Sequence, residues 1–550
     1  MNESIELIGK KEENKKRILK QNLNLRVKFN KTYSSKEKAK RKYIAFSFLI
    51  CIIVSLSIVF YFKFFHKKKI NKEGHLSKKI IPKQIEQNET ISEKEKKQEI
   101  EEIYKSVIEY ETNHTKTTCN NLDPINIFKQ RLNEKYTTLC EGEISRHICY
   151  RDNNPIFAAK NGVLCEFNNI IIDPSKWRGD GNTYKGPMDP SNRGCPLLDK
   201  GFFNAKCDKG KKNDYQGYDF IYNNYFNGWD YESEIKDKES IEELAPNKTV
   251  FFISRNQDSP NLYHGGSEFV NALAIMYLYN LHPEDIQVVF LESILILDDP
   301  FYDLYKNLIG RGGEPIHIRN LTKKYHVSSG IHIPINWDSP CFILSSTPEC
   351  EGHPTKTYYL YNKLIDLYMS PNNYTDKFIS NNDSLYYPES IINTALKENK
   401  KFDKIVTFQW RRPWPKGRKG QQRILGNGPE LADKLSTLLP KNILLRLVDT
   451  ASLPIKEQIS IMRSSDYFVG IHGAGLSLSI FTPINCIYHE VLHKSNMNGL
   501  ALFASTSGHK VYKDIIDSDV RDIDGNENIF FNIDEFANKV IERMKENNFF

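Results

Sequence analysis

The sequence has no surplus of basic residues outside its first 42 positions. The 550-residue chain carries a formal net charge of +7, and residues 1–42 hold 14 Lys and Arg against 5 Asp and Glu. Residues 43–550 therefore carry a net charge of −2. The basic pI of about 8.6 comes from the N-terminal tail. The rest of the chain thus gives no reason to expect nucleic-acid binding.

Charge is absent altogether from the 20 residues between Tyr43 and Phe62. At about 1.5 Å of rise per residue, a helix of this length spans about 30 Å, the thickness of a bilayer's hydrocarbon core. A small-residue cleavage site is also missing, and a 42-residue leader is too long for an ordinary signal peptide. We therefore expect residues 43–62 to form a transmembrane helix.

Basic residues do not decide the orientation of this helix, because eight Lys or Arg lie in residues 23–42 and seven in residues 63–82. Cysteines do distinguish the two sides. Nine of the ten follow the apolar run and the tenth, Cys51, lies inside it. Thiols that cluster after an anchor are typical of an oxidising lumen. Six glycosylation sequons follow the run as well, at Asn88, Asn113, Asn247, Asn320, Asn373 and Asn382.

These features predict a single-pass type II membrane protein whose C-terminal part lies in the lumen of the Golgi or the endoplasmic reticulum. The chain ends in Asn-Asn-Phe-Phe, without a retrieval signal for the endoplasmic reticulum, which favours the Golgi. Nine lumenal cysteines cannot all pair with one another. We expect Cys486, which lies in an apolar, strand-like run, to be the free thiol.

No internal repeat is present, which excludes a solenoid. Two segments instead alternate apolar strand-like runs with helical patterns, which is typical of parallel α/β sheets. The first begins at TVFFISR, with strands predicted at 249–255, 286–293, 315–320 and 341–346. The second begins at DKIVTFQWR, alternates predicted strands and helices between residues 403 and 492, and is followed by a predicted helix at 533–548. The cysteine-bearing stretch before them is expected to be irregular and linked by disulfides. The predicted organisation is a cytosolic tail (1–42), the membrane helix (43–62), a stem (63–115), an N-terminal Rossmann-like domain with a cysteine-rich opening (116–395) and a C-terminal Rossmann-like domain (396–550).

The strongest functional pattern is DYFVGIHGAG at residues 466–475. An apolar strand ends here in a turn of small residues, and a short apolar helix follows. Backbone N–H groups at a helix start favour phosphate, and open α/β sheets bind ligands beyond the carboxyl ends of their strands. We therefore predict a phosphate-binding turn at His472, Gly473, Ala474 and Gly475. The alternative is a tight turn with a core histidine.

Two further signals accompany this turn. RRPWPKGRKGQQR, residues 411–423, holds six basic residues directly after a predicted strand. Arginine binds phosphate oxygens in a bidentate manner, although an isolated basic loop is more often only solvated. Glu490 ends the apolar run CIYHEVL, where a carboxylate is suited to hold a ribose hydroxyl.

These segments resemble glycosyltransferase family 61. The resemblance covers roughly residues 140–530 and is most specific over the HGAG turn and the run ending in Glu490. The stretch IVTFQWRR…QQRILGNGPEL is similar to the family's arginine-bearing strand, with Arg411 or Arg412 and Arg423 in the matching places. DSPNLYHGGSEFVNAL is similar to its Asn-x-x-His…acid segment, through His264 and Glu268. Gly426–Pro429 and Glu268 depart from the family's usual residues.

The resemblance implies a GT-B fold, in which two Rossmann-like domains face a cleft, and inversion at the anomeric carbon. We expect a UDP-sugar donor, UDP-GlcNAc or UDP-xylose, and a hydroxyl acceptor on a glycoprotein or polysaccharide. The expected donor-binding residues are Arg411, Arg412, Arg423, His472, Gly473, Ala474, Gly475 and Glu490. The candidates for the base that deprotonates the acceptor are Asp258, His264 and Glu268, and for His264 a structural role is equally plausible.

We expect no essential metal. The acidic pairs Asp298-Asp299, Asp517-Ser518-Asp519 and Asp522-Ile523-Asp524 lie in polar surroundings, and arginines are available for the diphosphate. Two other interpretations remain open. A dehydrogenase is disfavoured because GIHGAG lacks the third glycine of the dinucleotide fingerprint. A catalytically inactive lumenal glycan-binding or scaffold protein would keep the same fold and would not bind UDP.

Overall fold

A computed structural model describes seventeen segments of the chain, between which residues are left out. The described residues are 93–113, 119, 123–133, 136–151, 163–178, 197–210, 225–232, 241–255, 262–292, 301–311, 313–333, 350–369, 384–392, 402–413, 423–494, 502–523 and 525–550. None of the helices in these segments has both the length and the apolar character that crossing a bilayer requires. The predicted membrane helix, residues 43–62, lies outside them, as does Asp258.

Residues Ile91–Phe550 form one compact unit of mixed α/β structure. Its helices, numbered in chain order, are α1 (Glu93–Asn113), α2 (Pro124–Asn133), α3 (Leu262–Leu278), α4 (Tyr302–Leu304), α5 (Lys356–Met369), α6 (Gly428–Leu438), α7 (Ile455–Arg463), α8 (Leu502–Thr506) and α9 (Ile533–Glu546). A π-helix continues α4 over Tyr305–Ile309, and the longest 3₁₀-helix is Ala474–Phe481.

Nineteen strands are present in the described segments. They are β1 (Tyr136–Glu141), β2 (Arg146–Arg151), β3 (Val163–Ile172), β4 (Phe203–Asn204), β5 (Lys209–Gly210), β6 (Trp229–Asp230), β7 (Thr249–Ile253), β8 (Ile286–Phe290), β9 (Ile316–His317), β10 (Tyr325–Ile333), β11 (Leu385–Tyr386), β12 (Lys404–Gln409), β13 (Arg423–Leu425), β14 (Ile443–Val448), β15 (Tyr467–Ile471), β16 (Ile487–Leu492), β17 (Lys510–Ile515), β18 (Ser518–Ile523) and β19 (Asn526–Phe531).

The first sheet has the order β5-β1-β2-β3-β10-β7-β8-β9, with β4 beside β3 and β6 beside β4. Strands β10, β7, β8 and β9 are parallel, whereas β1, β2 and β3 extend the sheet antiparallel. The predicted strands at 249–255 and 286–293 are confirmed. Of the strand predicted at 315–320, only Ile316–His317 is a strand, and Ile318–Asn320 forms a 3₁₀-helix. The predicted strand at 341–346 lies outside the described residues.

The second sheet has the order β11-β14-β12-β15-β16-β17 and is parallel except for β11 at its edge. Its strands are apolar because helices cover both faces of such a sheet. All residues of β14, β15 and β16 are buried. The strands and helices predicted between residues 403 and 492 are all confirmed, as is the C-terminal helix. A small third sheet, β13-β19-β18, lies in the same unit.

The cysteine-rich opening is a disulfide-linked part of the first sheet. Cys140 pairs with Cys207, Cys149 with Cys165, and Cys119 with Cys350. The sequence predicts an irregular region here, but the cross-links hold the antiparallel strands β1, β2 and β3. Cys486 is free and buried, as predicted.

The C-terminal part of the predicted stem belongs to the folded unit instead. Helix α1 has a narrow apolar stripe in which Ile100, Tyr104 and Val107 are buried. The hydroxyl of Tyr104 donates to the carbonyl of Leu281 at 2.7 Å. The ring of Tyr110 stacks on another tyrosine ring at 4.4 Å. Three side chains at i, i+4 and i+7 are enough for docking, although the sequence has no broad apolar face.

We expect Val107→Asp to destabilise the unit by about 3 kcal/mol or more, because it places an unpaired carboxylate where the side chain is fully buried. Thermal unfolding of the purified chain measures this loss. The matched control is Ile108→Asp on the same helix, where the side chain is 57% exposed and little change is expected. Equal melting temperatures for the two variants would mean that residues 93–113 do not pack on the folded unit and belong to the stem.

Candidate functional site

The second sheet has a topological switch point between β12 and β15. The chain runs from β12 to β14 on one side and then returns to β15 on the other side of β12. At such a point the connections leave in opposite directions, which opens a crevice beyond the carboxyl ends of the two strands. Arg411 follows β12 by two residues and His472 directly follows β15. The fold therefore brings two separate sequence signals to one crevice.

The guanidinium of Arg411 lies directly against the glycine turn. Its Nη1 donates to the carbonyl oxygen of His472 at 3.1 Å. A Cβ atom on Gly473 would lie 1.2 Å from that nitrogen, so only glycine leaves room for this arginine. Burial, with a smaller contribution from nearby Arg423, lowers the pKa of Arg411 to about 10. The side chain remains charged at neutral pH.

The same close packing explains why positions 475 and 470 are glycine. A Cβ atom on Gly475 would lie 1.5 Å from Nε2 of Gln409, the last residue of β12. On Gly470 it would lie 2.9 Å from the Cβ of Gln409. The sequence suggests that small residues admit a ligand, but their first role is to admit the side chains of the neighbouring strand.

His472 and Glu490 form a buried pair. Nδ1 of His472 donates to Oε1 of Glu490 at 2.5 Å, across the adjacent strands β15 and β16. Glu490 is fully buried and His472 is 9% exposed. The carboxylate fixes the hydrogen on Nδ1, so Nε2 is left to interact elsewhere. The carboxylate of Glu490 thus orients the histidine, and the ribose contact of Glu490 stays a prediction.

Arg423 joins this group through the small third sheet. Its strand β13 is held beside β12 because Leu425 N donates to Arg411 O at 2.8 Å. Burial lowers the pKa of Arg423, and the carboxylates of Glu527 and Glu490 oppose that shift. Arg411, Arg423, His472 and Glu490 therefore lie within electrostatic reach of one another.

Arg412 does not join this group. Its guanidinium lies 3.9 Å from the carboxylate of Asp449, which follows β14 on the other side of β12, and 4.8 Å from the ring centre of Trp410. The sequence does not show which of the two arginines lies at the glycine turn. The structure does, because successive side chains beyond β12 point to opposite sides, Arg411 toward His472 and Arg412 toward Asp449. Residues 414–422 of the basic loop lie outside the described residues.

Helix α3 carries two of the three candidate bases and packs on the 3₁₀-helix Ala474–Phe481 that follows the glycine turn. Glu268 is 1% exposed. Burial lowers the pKa of His264 to about 4, so its imidazole is neutral at neutral pH. The packing of α3 therefore places the candidate bases His264 and Glu268 on an element next to the one that follows the glycine turn.

His493 is a site residue that the sequence analysis does not identify. It directly follows β16, and its pKa is lowered by burial and by Lys494, Arg423 and His472. The signal available in the sequence is a histidine one position beyond a buried parallel strand. The same rule identifies His472 one strand earlier.

Within the described residues, one cluster of three potential metal ligands is present, formed by His147, Cys149 and Cys165. The two cysteines of that group are joined in a disulfide. Of the acidic pairs in the sequence, Asp519 pairs with Arg521, and Asp522 accepts from the N–H of Gly525 in the β18–β19 hairpin. Independence of a metal stays a prediction.

We expect Gly473→Ala to displace Arg411 and to abolish anion binding at the crevice, because the added methyl group takes the place of Nη1. Inorganic pyrophosphate should raise the melting temperature of the wild-type chain, since a ligand of the native state stabilises it by mass action. The variant should melt cooperatively without that shift. As a control, Gly310→Ala, whose Cβ atom would lie 3.2 Å from Val288, should keep it. Full stabilisation of Gly473→Ala would contradict the assignment.

Comparison with known proteins bears on the same residues. The sequence model of the glycosyltransferase 61 family matches residues 263–488. This range contains His264, Glu268, the three arginines and the HGAG turn, and it ends two residues before Glu490. No curated protein matches the chain. The match and the assembled crevice together support membership of glycosyltransferase family 61 and a glycosyltransferase activity.

Proposed function

We propose that the chain is an inverting glycosyltransferase that uses a UDP-sugar, UDP-GlcNAc or UDP-xylose, and that the crevice between β12 and β15 holds the diphosphate. The observation that carries this proposal is the approach of Arg411 to His472 and Gly473 at the switch point. A guanidinium that is partly dehydrated, and that forms no ion pair with any carboxylate in the described segments, favours a bound anion.

Two sheets, each with a group of parallel strands, support a GT-B arrangement as part of this proposal. The second sheet supplies the donor crevice, and the first sheet, with α3, supplies the acceptor side. Helix α3 packs against the 3₁₀-helix beyond the glycine turn, so the candidate bases lie on an element that adjoins the donor site. Both substrates of a transferase must meet at such a junction.

The chemistry follows from these positions. A base on the acceptor side removes the proton of the acceptor hydroxyl, and the oxygen attacks the anomeric carbon opposite the diphosphate. The bond between that carbon and the diphosphate oxygen breaks, and its electron pair leaves with UDP. Arg411, Arg423 and His472 stabilise the negative charge that develops on the leaving group. Glu490 holds His472 in the orientation this role requires.

The cellular setting is a proposal from the sequence. Residues 43–62 anchor the chain as a type II membrane protein, and Ile91–Phe550 lie in the lumen of the Golgi or the endoplasmic reticulum, where the acceptor is a glycoprotein or a polysaccharide. The three disulfides within the described residues fit an oxidising compartment.

The adjacent arginines allow a sharp test of donor binding. We expect UDP-GlcNAc or UDP-xylose to raise the melting temperature of the purified full chain, with or without EDTA. Arg411→Ala and His472→Ala should lose the shift, because each removes a side chain that the proposal places against the diphosphate. Arg412→Ala should keep most of it, since that side chain faces Asp449. A folded wild-type chain that responds to no UDP-sugar would favour the inactive glycan-binding or scaffold protein instead.

The catalytic base can be identified by measuring kcat and donor binding separately for each variant. We expect substitution of the base, among Asp258→Asn, His264→Gln and Glu268→Gln, to lower kcat for UDP release by about 100-fold or more. Water serves as the acceptor in this assay. The UDP-sugar should stabilise that variant as it does the wild-type chain, because the base makes no donor contact. If none of the three changes lowers kcat beyond tenfold (about 1.4 kcal/mol), the base lies elsewhere.

A further inference from the structure

We propose that His493 contacts the donor directly: its Nε2 donates a hydrogen bond to the diphosphate, and the imidazole takes up a proton as the donor binds. This inference rests on the proposed function and adds to it a residue and a protonation step that the sequence analysis does not contain.

The position of His493 in the sheet supports a ligand contact. It follows β16 directly, at the carboxyl edge where the crevice opens, and β16 is the neighbour of β15. The two strand ends are joined because His472 N donates to the carbonyl of Val491 at 3.0 Å. His493 therefore lies two residues beyond the point where the chain touches the HGAG turn.

The ring of His493 is enclosed but incompletely bonded. Its side chain is 3% exposed, and Nε2 has no hydrogen-bond partner in the part of the chain that the structure describes. The nearest carboxylate oxygen, Oε2 of Glu527, lies at 3.9 Å, which is too long for a hydrogen bond. A buried nitrogen without a partner costs about 1–3 kcal/mol, a cost that a ligand oxygen would remove.

Charged groups surround His493 on several elements. Lys494 adjoins it in the chain, Arg423 reaches it from β13, His472 from the end of β15 and Glu527 from β19. Glu527 is the only carboxylate among them, and Lys494 already pairs with it at 3.1 Å. The surroundings are positive, which suits an anion and disfavours a second cation.

These surroundings also decide the protonation state. Burial is the largest influence that lowers the pKa of His493, and the neighbouring cations lower it further, against Glu527. The imidazole is therefore neutral in the empty site at neutral pH. The negative charges of a diphosphate reverse this balance and favour the imidazolium, in which both nitrogens donate. Binding then consumes a proton.

The sign of the pH dependence follows from linkage. The proton is bound more tightly when the donor is present, so donor affinity is highest at acidic pH and falls as pH rises through the free and then the bound pKa. A single proton limits this fall to about tenfold per pH unit. UDP-GlcNAc is a suitable probe because its diphosphate, esterified at both ends, does not titrate near neutral pH.

The experiment is isothermal titration of the full chain with UDP-GlcNAc at several pH values, in buffers of different ionisation enthalpy. We expect the wild-type chain to take up part of a proton and to bind more weakly as pH rises. His493→Gln keeps a neutral N–H donor, so the proton uptake should shrink and the pH profile should flatten. The control His282→Gln, next to α1 and the first sheet, should behave as the wild-type chain does.

Glu527→Gln gives a second test on a residue that is 44% exposed and whose loss the fold should tolerate. Its carboxylate raises the pKa of His493, so the variant should move the acidic end of the affinity profile to lower pH. Unchanged proton uptake in His493→Gln, or an unshifted profile in Glu527→Gln, overturns the inference while donor binding stands. If the wild-type chain binds neither UDP-GlcNAc nor pyrophosphate, the proposed function fails, and the role of His493 fails with it.

Discussion

The contact between the guanidinium of Arg411 and the backbone of Gly473 sets the conditions for the rest of the crevice. It requires β12 and β15 to be neighbours, which the strand order β14-β12-β15 ensures. It also requires a residue without a side chain at position 473. Once these conditions are met, a cationic group lies in the turn and is held there by the carbonyl of His472.

The other parts of the site are arranged around this contact. Glu490 orients His472 from the next strand, and β13 brings Arg423 beside Arg411 through a backbone hydrogen bond. Two like charges are thereby held close together. Arg423 lowers the pKa of Arg411 in addition to the larger effect of burial, and burial lowers the pKa of Arg423. Keeping cations together in the absence of an anion is unfavourable, so an anionic ligand relieves a cost that the empty site carries.

Much of the second sheet is predictable from the sequence because its strands are continuous apolar runs of the kind that parallel, fully covered strands require. The first sheet is harder. Strand β10, YHVSSGIHI, lies centrally between β3 and β7, yet its serines and histidines hide its apolar alternation. The sequence places helix α1 in the stem for a related reason, since three buried positions are too few to indicate an amphipathic face.

The candidate site was predicted in its residue types but not in its contacts. Tertiary contacts alone distinguish Arg411 from Arg412, pair Glu490 with His472, and place His493 at the end of the strand beside β15. The sequence correctly indicates that the glycines of the HGAG turn let another group come close to the backbone. It predicts that this group is a ligand, whereas the structure shows protein side chains there. The missing side chains of the glycines make room for Gln409 and Arg411, and a sequence read one strand at a time does not contain that pairing.

The placement of the disulfides divides the chain by its dependence on oxidation. Cys119 and Cys350 close a covalent loop that contains the whole of β1 to β10, and the two other disulfides lie inside it. Residues 402–550 hold a single cysteine, Cys486, which is buried and free. The second sheet is therefore held by packing and hydrogen bonds without a disulfide. A reducing environment would loosen the cross-linked first sheet while the second sheet, with the crevice between β12 and β15, kept its shape.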